Sequence, residues 1–194
     1  RAGIAQIFLP FVEESVKEIR WAHAHGLRGG ILLPGAPPGS GIEPLYAPCY
    51  EPIWATCAEL GMPINHHSGG STPEFGNYLP QSLAMFILEV QWWAYRSIWH
   101  LMFSGVFERH PDLRFVLTET GLEWVPPVLE QLDAFYHRMK TNTQCSEHIF
   151  GGPTVANLSL TPSEYFERQI WIGASFLSPA HCPLREKVGV HKIM

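Results

Sequence analysis

Residues 62–70 read MPINHHSGG, and this stretch decides how the rest of the chain is interpreted. Its first four residues are typical of a short buried strand, and two adjacent histidines and a Ser-Gly-Gly turn follow them. In βα units, ligands and metals bind at the carboxyl ends of the strands. A histidine pair at such an end, followed by small residues that leave space, therefore favours a functional site over a pair of buried structural histidines.

Strand-like and helix-like segments alternate along the chain. Strands are predicted at residues 3–10, 29–34, 62–65, 113–118, 169–173 and 190–194. Helices are predicted between them, at residues 11–25, 51–60, 81–109, 122–140 and 179–188. Such alternation predicts an α/β fold with parallel strands, either a doubly wound sheet or a TIM barrel. Six units in 194 residues fit a (β/α)8 barrel that lacks two units, because a whole barrel has about 250 residues.

Two segments show no helix or strand period. Residues 34–48 are rich in Pro and Gly, and they are interpreted either as an ordered binding loop or as a surface loop without a role. Residues 141–163, which contain Gly151, Gly152 and Pro153, are predicted to form a polar loop. No glycine-rich phosphate-binding motif follows the first strand, which weakens the doubly wound, nucleotide-binding alternative.

The composition excludes several classes of protein. The 13 basic and 18 acidic residues give a formal net charge of −5 without any Lys/Arg cluster, so nucleic acid is not an expected partner. The apolar runs are too short to span a bilayer, so no membrane partner is expected either. Four widely spaced cysteines predict free thiols in a reducing, cytoplasmic compartment, namely Cys49, Cys57, Cys145 and Cys182.

Two strand ends carry the candidate catalytic side chains. His66 and His67 point to opposite faces of their strand, so only one of them can face the barrel axis, and the residues alone do not decide which. Glu119 directly follows the predicted strand at residues 113–118 and lies two residues before Gly121. A carboxylate there can act as a general base, bind a metal or orient a water. The structural alternative is a first-turn carboxylate stabilised by a helix dipole.

His23 and His25 form an H-x-H pattern, which binds metals when it lies on a strand. This pair follows a helical pattern and precedes Gly26, a typical helix end. Residues two apart on a helix are about 200° apart around its axis, so they cannot share one ion. We therefore expect the pair to lie at a helix terminus and to share no ligand.

Four motifs, in this order, resemble the amidohydrolase-related family. They are GLRGGILLPGAPPGSG (residues 26–41), YEPIWATCAELGMPINHHSGG (50–70), HLMFSGVFERHPDLRFVLTETGLEWVP (100–126) and PSEYFERQIWIGASF (162–176), and they cover most of the chain. The family contains metal-dependent (β/α)8 barrels, among them hydrolases and the nonoxidative decarboxylases of aminocarboxymuconate semialdehyde and of dihydroxybenzoates. The resemblance implies that the strands of this chain correspond to barrel strands three to eight.

The resemblance also implies a divalent metal, with zinc as the expected ion. His67 matches the family's histidine ligand on strand five, and His66 is its neighbour facing away from the metal. The family's remaining ligands, an H-x-H or E-x-H on strand one and an aspartate on strand eight, are expected outside this chain. Residues 1–194 are therefore expected to form one barrel domain that is incomplete at both ends. Where decarboxylases of the family commonly carry a histidine, this chain has Glu119.

The expected function is a metal-dependent hydrolase or nonoxidative carboxy-lyase acting on a small organic molecule, aromatic and cyclic compounds included. Glu119 is the expected catalytic residue and His67 the metal ligand, while Ser68, Gly69 and Trp124 are expected to contact the substrate. The alternative is a non-catalytic, barrel-derived binding or scaffold module with an incomplete metal site. An upstream H-x-H strand and a downstream aspartate in the reading frame would favour the enzyme. A homo-oligomer is left open, and the chain alone is expected to be poorly stable or inactive.

Overall fold

A five-stranded parallel sheet forms the centre of the chain in the computed structural model, which describes residues 2–175 and 177–194. The strands are Ala5–Gln6 (β1), Ile31–Leu33 (β2), Ile64–His67 (β3), Phe115–Thr120 (β4) and Ile170–Ala174 (β5). They lie in sequential order from β1 to β5, and each neighbouring pair is parallel. The predicted α/β class and the sequential parallel order are thus confirmed.

Of the sixth predicted strand, residues 190–194, only the last two residues pair with β5. A 3-10 turn, Val190–Lys192, precedes them, and Ile193 then forms a parallel bridge with Ile172 in β5. The Met194 N–H donates to the Ile172 carbonyl at 2.9 Å, and the Ala174 N–H donates to the Met194 carbonyl at 3.2 Å. A sixth parallel strand therefore begins beside β5, on the side where the sequential order puts it.

Helices follow the strands as the alternating pattern predicts. They are Val12–Ala24 (α1), Glu51–Leu60 (α2), Gln81–Phe103 (α3), Val106–Arg109 (α4), Val125–Thr141 (α5), Ser146–Val155 (α6), Pro162–Gln169 (α7) and Leu184–Val188 (α8). Local signals fix several ends: Gly61 ends α2 in the left-handed conformation, and a capping box between Thr161 and Glu164 begins α7. No helix within the described ranges is long and apolar enough to cross a bilayer.

The buried face of the sheet is built from two rows of side chains that are level in register. The first row is fully buried and consists of Ile31, Ile64, Phe115 and Ile170. The second row, one step toward the carboxyl ends, consists of Leu33, His66, Leu117 and Ile172. Burial of each such aliphatic side chain stabilises the fold by about 1.5–3 kcal/mol. One imidazole thus stands in a row of aliphatic side chains.

Residues 141–163 were predicted to form a loop, and the structure shows this to be wrong. Helix α6 occupies residues Ser146–Val155 and packs against α5. A Cβ at Gly151 would lie 2.1 Å from the Met139 sulfur atom, so the glycine allows the two helices to approach closely. Gly151, one of the glycines that indicated a loop, is therefore a packing residue. The four cysteines are free, as predicted.

Candidate functional site

His67 and Glu119 meet at the carboxyl ends of two neighbouring strands. His67 is the last residue of β3 and is level with Thr118 in β4. The His67 Nε2 atom lies 2.9 Å from the Glu119 Oε2 atom, and the two side chains are 53% and 41% exposed. We expected the two groups at the same end of the sheet, about 4–8 Å apart. The shared end is confirmed, and the atoms are closer than expected because the side chains are in direct contact.

His66 turns to the opposite face, into the buried row between sheet and helices. Its side chain is fully buried and stacks on Phe115, with the ring centroids 6.2 Å apart. Its Nδ1 atom lies 3.1 Å from the Leu33 carbonyl, and its Nε2 atom lies 3.1 Å from the Ser71 hydroxyl. Burial lowers the pKa of His66 to about 4. A neutral imidazole that donates from Nδ1 and accepts at Nε2 satisfies both contacts.

A β-bulge brings the Glu119 side chain to the same face as His67. In the pairing of β4 with β5, Thr118 is level with Gly173 and Thr120 with Ala174, so Glu119 is the extra residue. Regular alternation would have turned it toward the buried face, as it does Leu117. Instead Thr120 is fully buried and Glu119 contacts His67.

The backbone of Glu119 has a φ of +59°, a left-handed conformation that is unfavourable for a side chain of this type. Among the residues outside glycine that the structure describes, only Glu119 has a positive φ. Such conformations cluster at functional sites, where the surrounding structure holds them in place. The backbone strain and the bulge occur at one residue, and together they direct its carboxylate to the site.

Ser68 is bonded to both members of the pair. Its hydroxyl donates to Glu119 Oε2 at 3.1 Å, and its backbone carbonyl lies 2.8 Å from His67 Nδ1. A carbonyl oxygen can only accept, so His67 donates from Nδ1 and a neutral ring then carries its lone pair on Nε2. Metal-binding histidines are commonly oriented by this kind of bond from the second ring nitrogen.

Gly35 allows the 34–48 loop to approach the turn that follows Ser68. Gly69 has a φ of +86°, which a glycine adopts without strain. A Cβ built on Gly35 would lie 1.8 Å from the Gly70 carbonyl oxygen, so the start of the 34–48 loop touches the turn through backbone alone. Tyr50 holds the far part of this loop by donating to the Glu43 carbonyl at 2.8 Å. The loop therefore begins beside the site, and the Tyr50 hydrogen bond anchors its far part.

The geometry of the His67–Glu119 pair fits a divalent cation. A lone pair on Nε2 and a carboxylate oxygen attract each other only through a proton or a cation between them. Two ligand atoms about 2.1 Å from one ion are about 3.0 Å apart at the right angle of an octahedron, and about 3.4 Å apart at the tetrahedral angle. The observed 2.9 Å fits a shared proton as well as a shared divalent cation.

The pair by itself is not a complete metal site. Within residues 2–175 and 177–194, no group of three or more His, Cys, Asp or Glu side chains could hold a metal ion. His67 and Glu119 would thus supply two ligands, and further ligands would come from other segments or from water. His23 and His25 add none: His23 lies in α1, and the Nδ1 atom of His25, at the helix end, lies 2.8 Å from the Trp21 carbonyl.

Trp124 is buried, unlike the exposed pair. Its ring is 7% exposed and stacks on Tyr95 of α3 with centroids 4.3 Å apart. Its indole N–H has no hydrogen-bond partner among the described residues. Contact between Trp124 and a substrate remains a prediction, as do the substrate contacts of Ser68 and Gly69.

Three polar residues beside the pair were not singled out from the sequence. Asn65 lies two residues before His67, and its amide donates to two carbonyls, those of Gly29 and Ile31. Gln91 of α3 accepts from the Gly121 N–H at 2.9 Å, just after the bulge. The period-two alternation that starts from His67 could have identified Asn65. The third residue, Thr118, is level with His67 and follows from the register. The Gln91 contact depends on helix packing and has no sequence signal.

Two cavities lie elsewhere in the chain. One of about 440 Å³ is lined by Tyr46, Trp99 and His100, and another of about 300 Å³ is lined by Leu122 and His181, among others. Neither includes His67 or Glu119, whose side chains are about half exposed on the face opposite the buried rows. The pair lies on an open sheet, which has no opposite wall to enclose a pocket.

Solved structures with this fold are known, although no curated protein matches the sequence significantly. An amidohydrolase from Mycobacterium avium subsp. paratuberculosis is 25% identical, covering 99% of this chain and 46% of that chain, with a TM-score of 0.72. The 5-carboxyvanillate decarboxylase from Sphingomonas paucimobilis is 20% identical, covering 100% of this chain and 54% of that chain, with a TM-score of 0.76.

A third structure was determined with a metal. It is the 5-carboxyvanillate decarboxylase from Novosphingobium aromaticivorans, complexed with manganese and 4-hydroxy-3-methoxy-5-nitrobenzoic acid. It is 18% identical, covering 100% of this chain and 53% of that chain, with a TM-score of 0.73. At such identities, the two decarboxylases show likeness of fold alone.

The chain spans about half the length of the solved structures that it matches. Its five-stranded sheet accordingly corresponds to part of a (β/α)8 barrel. The family model described as amidohydrolase matches residues 1–189, nearly the whole sequence. The chain therefore belongs to the amidohydrolase family.

Proposed function

We propose that the protein is a metal-dependent hydrolase or nonoxidative carboxy-lyase that acts on small organic acids, with aromatic acids as the first class to test. The observation that carries this proposal is the contact of His67 Nε2 with Glu119 Oε2, which a β-bulge with a positive φ brings about. Membership of an enzyme family and the aromatic ligand of a manganese-containing structural relative support it.

In this proposal, His67 and Glu119 hold a divalent cation together with further ligands from outside residues 1–194. Residues 1–194 form part of one barrel domain. A bound divalent cation would supply Lewis acidity toward a carboxylate or carbonyl oxygen. Mn²⁺, the ion bound in one structural relative, and zinc, the ion expected from the sequence, are the two candidates.

The chain's own residues divide the remaining work. Ser68 orients both side chains, through its carbonyl to His67 and through its hydroxyl to Glu119. Both contacts of the carboxylate fall on Oε2, and Oε1 has no hydrogen-bond partner within the described ranges. Oε1 is thus available to take a proton from a water or to return one to a substrate carbon.

The test measures turnover of the intact protein on benzoate-type acids, with released CO2 and hydrolysis products followed separately and with added Mn²⁺ or Zn²⁺. Glu119→Gln should lose turnover by about 10²–10⁴-fold, the range typical of general acid–base residues. His25→Ala changes an exposed histidine outside the site and is the control. Full turnover in Glu119→Gln would contradict the proposal, and absence of both turnover and metal binding in the wild type would favour the scaffold alternative.

A further inference from the structure

Gln91 continues the buried stripe of α3 toward the carboxyl ends of the strands. Ala94, Ile98 and Leu101 form this stripe and are at most 2% exposed. Gln91 lies three residues before Ala94 and seven before Ile98, which puts it on the same face of the helix. A polar side chain thus occupies a position where the helical period predicts an apolar one. Its Oε1 atom accepts from the Gly121 N–H at 2.9 Å, just after the bulge.

This bond anchors the backbone at the point where β4 leaves the sheet. The Thr120 carbonyl still accepts from the Ser175 N–H at 3.0 Å, whereas the next N–H along the strand turns to the glutamine. On the other side of the bulge, the Thr118 carbonyl accepts from the Ser68 N–H at 3.1 Å. Two of these three anchors join backbone to backbone. Only the contact from α3 depends on a side chain, so it is the one that a substitution can remove.

A strained backbone conformation persists only while its surroundings hold it. With a φ of +59°, Glu119 would relax toward a negative φ if one anchor of the bulge were lost. Such a change in φ turns the Cα–Cβ bond, so the carboxylate would leave its contact with His67 Nε2 at 2.9 Å. The amide oxygen of Gln91 is a neutral acceptor, so it holds the backbone without placing a further negative charge near the carboxylate.

We propose that Gln91 is a positioning residue for Glu119, which acts through Gly121 to keep the bulge in place and the carboxylate beside His67. The inference rests on the proposed function in taking Glu119 as a metal ligand, whereas the support of the bulge by Gln91 does not depend on the metal. Loss of the Gln91 amide oxygen should therefore weaken metal binding only while residue 119 carries its carboxylate.

The first test is a double-mutant cycle on the affinity of the intact protein for Mn²⁺ and Zn²⁺, measured by titration calorimetry. Gln91→Met keeps the length of the side chain and removes the acceptor, and it should weaken metal binding about 10-fold. In the Glu119→Ala background the same substitution should change the affinity by less than about 2-fold. Gln91→Glu keeps an acceptor oxygen and should retain most of the affinity. The control is Gln131→Met, at an exposed glutamine of α5, which should bind like the wild type.

A second cycle needs no metal and measures the free energy of unfolding in denaturant. Glu119→Gly removes the backbone strain at the bulge, so no strain is released in that background when the anchor is lost. Gln91→Met should therefore cost more stability in the Glu119→Gly background than in the wild type, where relaxation of φ offsets part of the loss. Circular dichroism identifies a variant that fails to fold, and Gln91→Leu then replaces Gln91→Met.

The two cycles separate this inference from the proposed function. If Gln91→Met lost the same metal affinity with and without the Glu119 carboxylate, the inference would be overturned and the metal site would stand. A wild type that binds no metal would contradict the proposed function, and the stability cycle would then decide the role of Gln91. Equal stability costs in both backgrounds would show that Gln91 does not hold the strained residue, and would overturn the inference.

Discussion

His67 and Glu119 face each other across two strands, with 2.9 Å between Nε2 and Oε2, although regular alternation along β4 would turn Glu119 to the other face. The extra residue of the bulge accounts for this arrangement. A bulge bends its strand and redirects one side chain, at the expense of an unfavourable backbone conformation. The site is thus held by the packing on both sides of Glu119, which fixes Leu117 and Thr120 in the buried face.

The strain at Glu119 predicts an unusual order of stability among variants. Because φ is +59°, Glu119→Gly should be more stable than Glu119→Ala by about 0.5–1 kcal/mol in the free energy of unfolding. At Thr118, which has no positive φ, the order should be reversed by a similar amount. Denaturant unfolding of the four variants measures both differences. The same order at both positions would show that Glu119 is not strained.

The close approach of two loops predicts different effects for two glycines. In Gly35→Ala the new Cβ would meet the Gly70 carbonyl at 1.8 Å, so the turn beside His67 must move. We expect a loss of about 1–3 kcal/mol of stability, and weaker metal binding with it. Gly70→Ala is the control, because its Cβ would have ordinary contacts at 3.5 Å or more. Equal effects of the two variants would contradict the close packing of the loops.

The buried His66 predicts a dependence of stability on pH. Its pKa is about 4 in the folded protein because of burial, against an ordinary value of 6.5. Above pH 6.5 the His66 side chain is neutral in both the folded and the unfolded protein. Between pH 6.5 and 4 it takes up a proton only in the unfolded protein. The free energy of unfolding should therefore fall with falling pH, by up to about 1.4 kcal/mol per unit from this group.

His100, whose pKa burial also lowers to about 4, should act in the same direction. The variant His66→Asn keeps a donor for the Leu33 carbonyl and removes the titrating group. Between pH 6.5 and 4, the free energy of unfolding of this variant should depend less steeply on pH than that of the wild type. The difference in slope should correspond to at most one bound proton. Urea unfolding across this range is the measurement. If the two proteins gave parallel curves of unfolding free energy against pH, His66 would take up its proton over the same pH range in the folded and unfolded states.

Ser68 is expected to affect turnover more than metal binding. Ser68→Ala removes the hydroxyl that donates to Glu119 Oε2, and leaves the backbone carbonyl that orients His67. We expect kcat to fall about 10-fold with little change in metal content, since a hydrogen bond to a charged group contributes about 1.5–3 kcal/mol. Ser68→Thr keeps a hydroxyl and should recover most of the loss. A Ser68→Ala protein that loses its metal would assign the residue a different role.

The sequence was sufficient for the strand order, because alternating apolar segments leave few arrangements of parallel βαβ units. It was also sufficient to place His67 and Glu119 at the same end of the sheet, since each closes an apolar strand. The residues alone did not decide between His66 and His67. That choice follows from the register, which makes His66 level with Leu33 and Leu117 in the buried row.

Other features depend on tertiary packing and could not be predicted. The bulge has no local signature, because no glycine marks the left-handed position of Glu119. Helix α6 contains Gly151, Gly152 and Pro153, a composition typical of loops, and becomes a helix because it packs closely on Met139 of α5. The contact between Gln91 and Gly121 joins residues 30 positions apart and likewise has no local signal.

The measurement that tests the account most directly is metal content and metal affinity of the intact protein and its His67→Ala, Glu119→Ala and His66→Asn variants. The account predicts that His67→Ala and Glu119→Ala each bind the ion about 10–100-fold more weakly or not at all. His66→Asn should keep its metal, because His66 faces the buried row. Full metal content in His67→Ala together with loss in His66→Asn would contradict the central claim.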